Sequence, residues 1–284
     1  MQLVSRRQFL TAMAATLATA PWAAPLAAPL PLKVGVTDWN LKETGQLTAF
    51  ALAKGLGFDG VQVSLGRNSG RSLLRDEGWQ DEFVAESRKQ GLPISSTCLD
   101  ILHENYLKND PLGKQWVAKA IPITHRLGTQ VILLPFFGKG ALRTREEMDY
   151  VADFLKEVGP EAENHGIVLG LENTISAEDN ARMLDRAQSK AVRVYYDVGN
   201  STRNGFDIYQ EIPWLGKERI CEIHLKDNPH LMGQGTIQFD RVVSAIAASG
   251  FDRWLVLETD SPSKSVEKDL GTNLRFLRHL LARA

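Results

Sequence analysis

The chain has 284 residues, with 33 basic against 34 acidic side chains, 12 prolines and two cysteines. That length can bury a large core without cross-links, and two cysteines do not make a disulfide framework. A net charge of −1 with no stripe of Lys or Arg argues against nucleic acid as a partner.

The first 28 residues read as a signal rather than as part of a fold. Ser5-Arg6-Arg7-Gln8-Phe9-Leu10 is a twin-arginine signature, followed by a mildly apolar run from Thr11 to Ala20 and an Ala/Pro-rich stretch to Ala28. Pro21, Pro25, Pro29 and Pro31 rule out one continuous helix. The apolar run is too short and interrupted for stable membrane insertion. The expectation is export through the twin-arginine route, a periplasmic location, and a single domain over residues 29–284. Loss of Arg6 and Arg7 leaves 31 basic against 34 acidic residues, a net charge of −3.

From Lys33 onward, short β-rich runs alternate with longer amphipathic stretches. The predicted strands are 33–38, 59–64, 93–99, 129–136, 167–172, 192–197, 220–226 and 254–259. Gly57, Gly91, Gly128, Gly166 and Gly250 stop helices just before strands. Thr144 and Glu147 form a capping box for a helix ending near Gly159 or Gly166, and Ser176 opens the next helix. Eight such alternations predict an α/β fold, a single (β/α)8 TIM barrel, and the roughly 255 residues after the signal match its usual size. Cys98 and Cys221 fall on the third and seventh strands and are expected as buried free thiols.

Four runs in the second half, LGLEN, VYYDVGN, CEIHLKD and LVLETD, each end in a metal-ligating residue: Glu172, Asp197, His224 and Glu258. Their spacing of roughly 25 to 35 residues is one strand–helix unit, so all four ends open on the catalytic face of a barrel. Alternation places each ligand inward, His224 sharing its face with Glu222 and Lys226. Glu222 is expected to pair with a cation such as Lys226 or to be solvated by trapped water. A single Glu at a strand end is usually a surface residue or cap partner, a reading that four ends in succession do not fit. Three carboxylates and one imidazole suit one divalent cation such as Mn²⁺, Mg²⁺, Co²⁺ or Zn²⁺.

These residues resemble the xylose isomerase-like superfamily of metal-dependent barrels, in particular its sugar isomerase/epimerase branch. The likeness covers the whole mature chain and is most specific in LEN (171–173), YDVGN (196–200), HLKDN (224–228) with GQG (233–235), and VLETD (256–260). It implies that Glu172, Asp197, His224 and Glu258 hold the metal, with Glu172 and Glu258 as the catalytic proton-transfer pair. The chain departs from many relatives in carrying Asn200 three residues after the Asp and Gln62 on the second strand. Lys226, Asn200, Trp39, His103 and His230 are the substrate-binding candidates, although a loop His is more often solvated and Lys226 could instead pair with Asp227.

The expected activity is isomerisation or epimerisation of a small-molecule sugar by proton transfer through an enediolate. Export and the scattered cations Lys139, Arg143, Arg203 and Lys226 favour a non-phosphorylated sugar or keto-sugar. The rivals are a lyase or dehydratase on a keto-sugar, inositol derivative or oxidised glycoside, and a non-catalytic carbohydrate-binding barrel. A phosphodiesterase like endonuclease IV would need further histidines, and the fourth strand ends Leu134-Pro135-Phe136-Phe137-Gly138 without one. The sequence is compatible with a homo-oligomer.

Overall fold

The computed structural model describes residues 30–284. Eight parallel strands close in sequence order into one barrel: β1 (Val34–Thr37), β2 (Gly60–Ser64), β3 (Ile94–Cys98), β4 (Val131–Pro135), β5 (Val168–Glu172), β6 (Val192–Asp197), β7 (Ile220–Leu225) and β8 (Leu255–Leu257). Closure comes from β1 against β8, with Val34 opposite Leu255 and Val36 opposite Leu257. Nearly every strand residue is buried, as a sheet covered on both sides requires.

Each expected strand is present, most of them trimmed by a residue or two. β8 keeps only half of its expected length: it spans three residues and stops before Glu258. Glu258 is still tied to the sheet, because its N–H donates to the carbonyl of Leu225 at 3.1 Å.

The wrapping helices begin where polar caps predict. Thr144 accepts from the N–H of Glu147 and Glu147 reaches back, opening α4 (Arg145–Asn164) with a complete capping box. The same helix passes through Gly159-Pro160 and ends before Gly166, so the later of its two expected stops is the real one. Ser176 caps α5 (Ala177–Ala187) through the N–H of Asp179. Between sheet and helices lies the main apolar core, whereas Cys98, Val131, Leu133, Tyr195 and Cys221 form a small cluster of their own. Both cysteines are buried and free, as expected.

The segment expected to be a signal, residues 1–28, lies outside the described residues. No helix among those described is long and apolar enough to cross a membrane.

Candidate metal centre and active site

The last residue of β5 is Glu172 and the last of β6 is Asp197; His224 is the penultimate residue of β7, and Glu258 follows β8. Register does the rest: Asp197 sits directly opposite His224, and His224 opposite Val256. The structure therefore brings all four expected ligands together, with one donor atom from each lying within 4.8 Å of the others. His224 Nδ1 faces Glu172 Oε1 at 3.1 Å, Glu258 Oε2 at 3.4 Å and Asp197 Oδ2 at 3.6 Å.

Those separations suit a small cation. With metal–ligand distances of about 2.1 Å, neighbouring ligands stand roughly 3.0–3.4 Å apart. Asp197 Oδ2 is buried and lacks a well-aligned hydrogen bond, and the cation that answers it is the Lys226 ammonium, so a metal would share this oxygen with Lys226. The group could bind a divalent metal.

Charge inside the cluster is nearly balanced. Lys226, itself buried, places Nζ 2.7 Å from Asp197 Oδ2 and also contacts Glu258 Oε2. Burial opposes ionisation of Glu258 and Asp197, yet Lys226 and His224 hold Glu258 well below the usual carboxylate range and Asp197 below it. Burial wins at Glu172, which is pushed up to about 7 despite His224. Burial also works against the His224 imidazolium, but Glu258, Glu172 and Asp197 raise it well above its ordinary value. A divalent cation bound among these groups would displace protons that they otherwise hold.

The second oxygens of the two glutamates differ. Glu258 Oε1 accepts from the indole N–H of Trp39 at 3.0 Å. Glu172 Oε2 takes no hydrogen bond from the described residues, while Oε1 accepts from Asn200 Nδ2 at 3.4 Å. Asn200 is also fixed by its own N–H, which donates to Asp197 Oδ1 at 2.7 Å. Trp39 and Asn200 therefore orient the acidic cluster as well as lining its cavity.

That cavity, of about 770 Å³, is lined by Trp39, His103, Asn200, Lys226, Glu172 and Glu258 among others. His103 stacks against Phe137 with ring centroids 6.3 Å apart, and burial pushes it below its ordinary pKa. His230, the remaining substrate-binding candidate, is exposed and is not among the residues lining this cavity; its N–H donates in a turn to the carbonyl of Asp227. The Lys226–Asp227 ion pair is not formed either. Asp227 instead accepts from the N–H groups of Gly235, Thr236 and Ile237. Glu222 pairs with neither Lys226 nor a cation; it accepts from Ser96 Oγ at 2.7 Å and Tyr195 OH at 2.8 Å, and burial raises it to about 8.

Two glycines make room for these contacts. A Cβ at Gly199 would lie 2.5 Å from Lys226 Cγ, and one at Gly235 would lie 2.4 Å from Asp227 Oδ1. The DVGN and GQG motifs are thus close-approach sites for HLKD.

Sequence reading missed the β2 side of the cavity. Ser64, Arg67, Arg71 and Asp100 line it, whereas Lys139 and Arg143, counted earlier among the mouth cations, do not. The available signal was the long connection after β2, since long loops on this face of a barrel carry function.

A closed eightfold barrel with a Glu–Asp–His–Glu cluster at the floor of a strand-end cavity has the layout of a barrel enzyme, with its active site at the strand ends. The chain belongs to the Xylose isomerase-like TIM barrel family, whose model matches residues 50–280. It is 30% identical over 241 residues to a 2-epi-5-epi-valiolone 7-phosphate 2-epimerase of an Actinoplanes species, covering 80% of this chain and 87% of that one. It is 26% identical over 159 residues to an inosose dehydratase of Geobacillus thermodenitrificans, covering 44% and 51%. The solved D-psicose 3-epimerase of Clostridium cellulolyticum, with D-tagatose, superposes with a TM-score of 0.74 at 16% identity over 88% of this chain and 99% of that one.

Proposed function

We propose that the protein is a divalent-metal-dependent epimerase or isomerase of a non-phosphorylated sugar or keto-sugar. The observation that carries this is the pair of glutamates that line the cavity, each with one oxygen turned to the cluster; the second oxygen of Glu258 accepts from Trp39, and that of Glu172 accepts from no described residue. When bound by Glu172, Asp197, His224 and Glu258, a Mn²⁺, Mg²⁺, Co²⁺ or Zn²⁺ ion supplies Lewis-acid stabilisation of charge developing beside the carbon that loses its proton. Glu172 Oε2 is the freer oxygen and removes or returns a proton on one side of the sugar. Glu258 Oε1, steadied by Trp39, does the same on the other. Lys226 offsets carboxylate charge and donates toward a substrate oxygen. Trp39 and Phe137 supply apolar walls for a sugar ring.

Absence of a phosphate is supported by the cations. Arg67 lies 3.5 Å from Asp100, Arg71 pairs with Asp76 and Glu82, and Lys226 is engaged in the cluster. Among the described cavity residues, Arg203 is the cation with no carboxylate partner. We read the twin-arginine segment the same way, as export to the periplasm, where free sugars and glycosides are the accessible class.

Elimination is the second reading, favoured by the likeness to an inosose dehydratase. A panel of free sugars, sugar phosphates and keto-glycosides followed by NMR in deuterated water separates the possibilities. Epimerised or isomerised free sugar carrying solvent deuterium is the expected product. A dehydrated product would establish the lyase, preference for a phosphorylated sugar would refute the substrate class, and no turnover of any member would favour a carbohydrate-binding barrel.

A further inference from the structure

Beneath the metal cluster lies a second polar layer that the reaction does not touch. His224 Nε2, on the opposite side of the ring from the cluster, is 2.7 Å from Gln62 Oε1. Gln62 Nε2 is 3.0 Å from Ser96 Oγ and 3.1 Å from Tyr195 OH. Both hydroxyls lie within 2.8 Å of the same atom, Glu222 Oε2. Every one of these five side chains is at most 1% exposed. They come from β2, β3, β6 and β7, so no local turn explains their meeting. The register shifts of the sheet fall at Val61/Gln62 and Val194/Tyr195, on two members of the layer. Such irregularities re-aim side chains.

Proton counting gives the layer one direction. Five contacts need five hydrogens, and five are present: one on His224 Nε2, two on the Gln62 amide, and one on each hydroxyl. All five contacts are satisfied if both hydroxyls donate to Glu222, the amide donates to both hydroxyls, and Gln62 Oε1 accepts from His224. Reversing the amide fails. Both hydroxyls would then donate to Gln62, and Glu222 Oε2 would have to give two protons, which no carboxyl group can. Glu222 Oε2 remains an acceptor whether or not its other oxygen is protonated. Glu222 Oε1 has no partner among the described residues, so the direction follows from the five contacts that are made, each of which would be costly to leave without its hydrogen.

We propose that Gln62, through Ser96, Tyr195 and Glu222, is the positioning device that keeps hydrogen on His224 Nε2 and presents a bare Nδ1 to the metal. This rests on the metal reading above. Partners on the far nitrogen of a metal-binding histidine fix its tautomer and ring orientation, and their loss typically weakens metal binding about 10- to 100-fold.

Cobalt(II) serves as the probe, with affinity measured by equilibrium dialysis against the full chain after signal removal. In the Co²⁺-loaded wild type, the His224 Nε2 proton is expected as a hyperfine-shifted NMR resonance that exchanges slowly with water. Gln62→Met should weaken Co²⁺ binding at least tenfold and broaden or abolish that resonance. Gln62→Glu keeps the acceptor and should retain both. The double variant Ser96→Ala/Tyr195→Phe conserves shape but cuts the amide from Glu222; it should speed exchange of the same proton and weaken binding several-fold. Wild-type affinity together with a wild-type, slowly exchanging resonance in either folded Gln62→Met or the double variant overturns the proposal. A wild type that takes up no Co²⁺ overturns the metal reading itself, and this inference with it.

Discussion

At the scale of single residues, the division of labour in the cluster makes two expectations. His224 supplies its only nitrogen donor, at 3.1–3.6 Å from three carboxylates. His224→Ala should reduce metal content from close to one equivalent to a small fraction of that, read by elemental analysis after purification without chelators. Full retention would remove His224 from the ligand set. Glu172 and Glu258 carry the chemistry in the proposed reaction, so Gln at either position should slow exchange of the substrate proton with deuterated water by about 10²–10⁴-fold. Substrate affinity should change far less. Wild-type exchange in both variants would assign the proton transfers elsewhere. These four residues were legible because each sits at the end of a β-rich run, where a barrel places its chemistry. The cation partner expected for Glu222 is not there, because alternation says that a side chain points inward but not what it meets. Its partners, Ser96 and Tyr195, are distant in sequence and become neighbours only when β3, β6 and β7 close around it.

Among the elements, strands and helix caps follow from local pattern, whereas the loops after the strands do not. The capping box at Thr144 is visible in sequence and realised in α4. The role of Asp227 is not, since it gathers N–H groups from residues eight to ten positions later. That contact predicts a cost for Gly235→Ala: the new methyl group must displace the Asp227 carboxylate, destabilising the fold by about 1–3 kcal/mol. Chemical denaturation would measure it, and a change under about 0.5 kcal/mol would mean that the loop relaxes freely. The loop after β1 offers a pH test. Asp38 is fully buried, accepts from Gly45 and Ser64 N–H through Oδ2, and leaves Oδ1 unpartnered. Burial raises it from 3.8 to about 7. The folded chain therefore holds a proton that the unfolded chain has lost between those values, and this contribution to stability falls as pH rises from about 4 through about 7. Asp38→Asn keeps the acceptor and removes the titration. Its stability should lose part of that pH slope, by on the order of 1–3 kcal/mol across the window. An unchanged slope in denaturation curves would show that Asp38 stays ionised in the fold.

For the whole molecule, the eightfold alternation made the barrel readable, because no other common architecture repeats strand and helix so many times at this length. The substrate was less readable: two of the cations that face the cavity, Arg67 and Arg71, lie in the connection after β2 and are answered by acidic partners that only the folded loop reveals. Location bears on the same question. If residues 1–28 direct export, the enzyme meets its substrate outside the cytoplasm, and the twin-arginine route carries folded proteins, so the metal cluster can be filled before transport. Arg6→Lys/Arg7→Lys preserves the charge of the segment but removes the paired guanidinium groups. Precursor should then accumulate in the cytoplasm at full length, while the wild type appears in the periplasm shortened to a start near Ala28, as fractionation and intact-mass measurement would show. The variant should still bind metal, since its barrel is unchanged. Equal periplasmic delivery of variant and wild type would break the link between export and a non-phosphorylated substrate, leaving the substrate class to the geometry of the cavity alone.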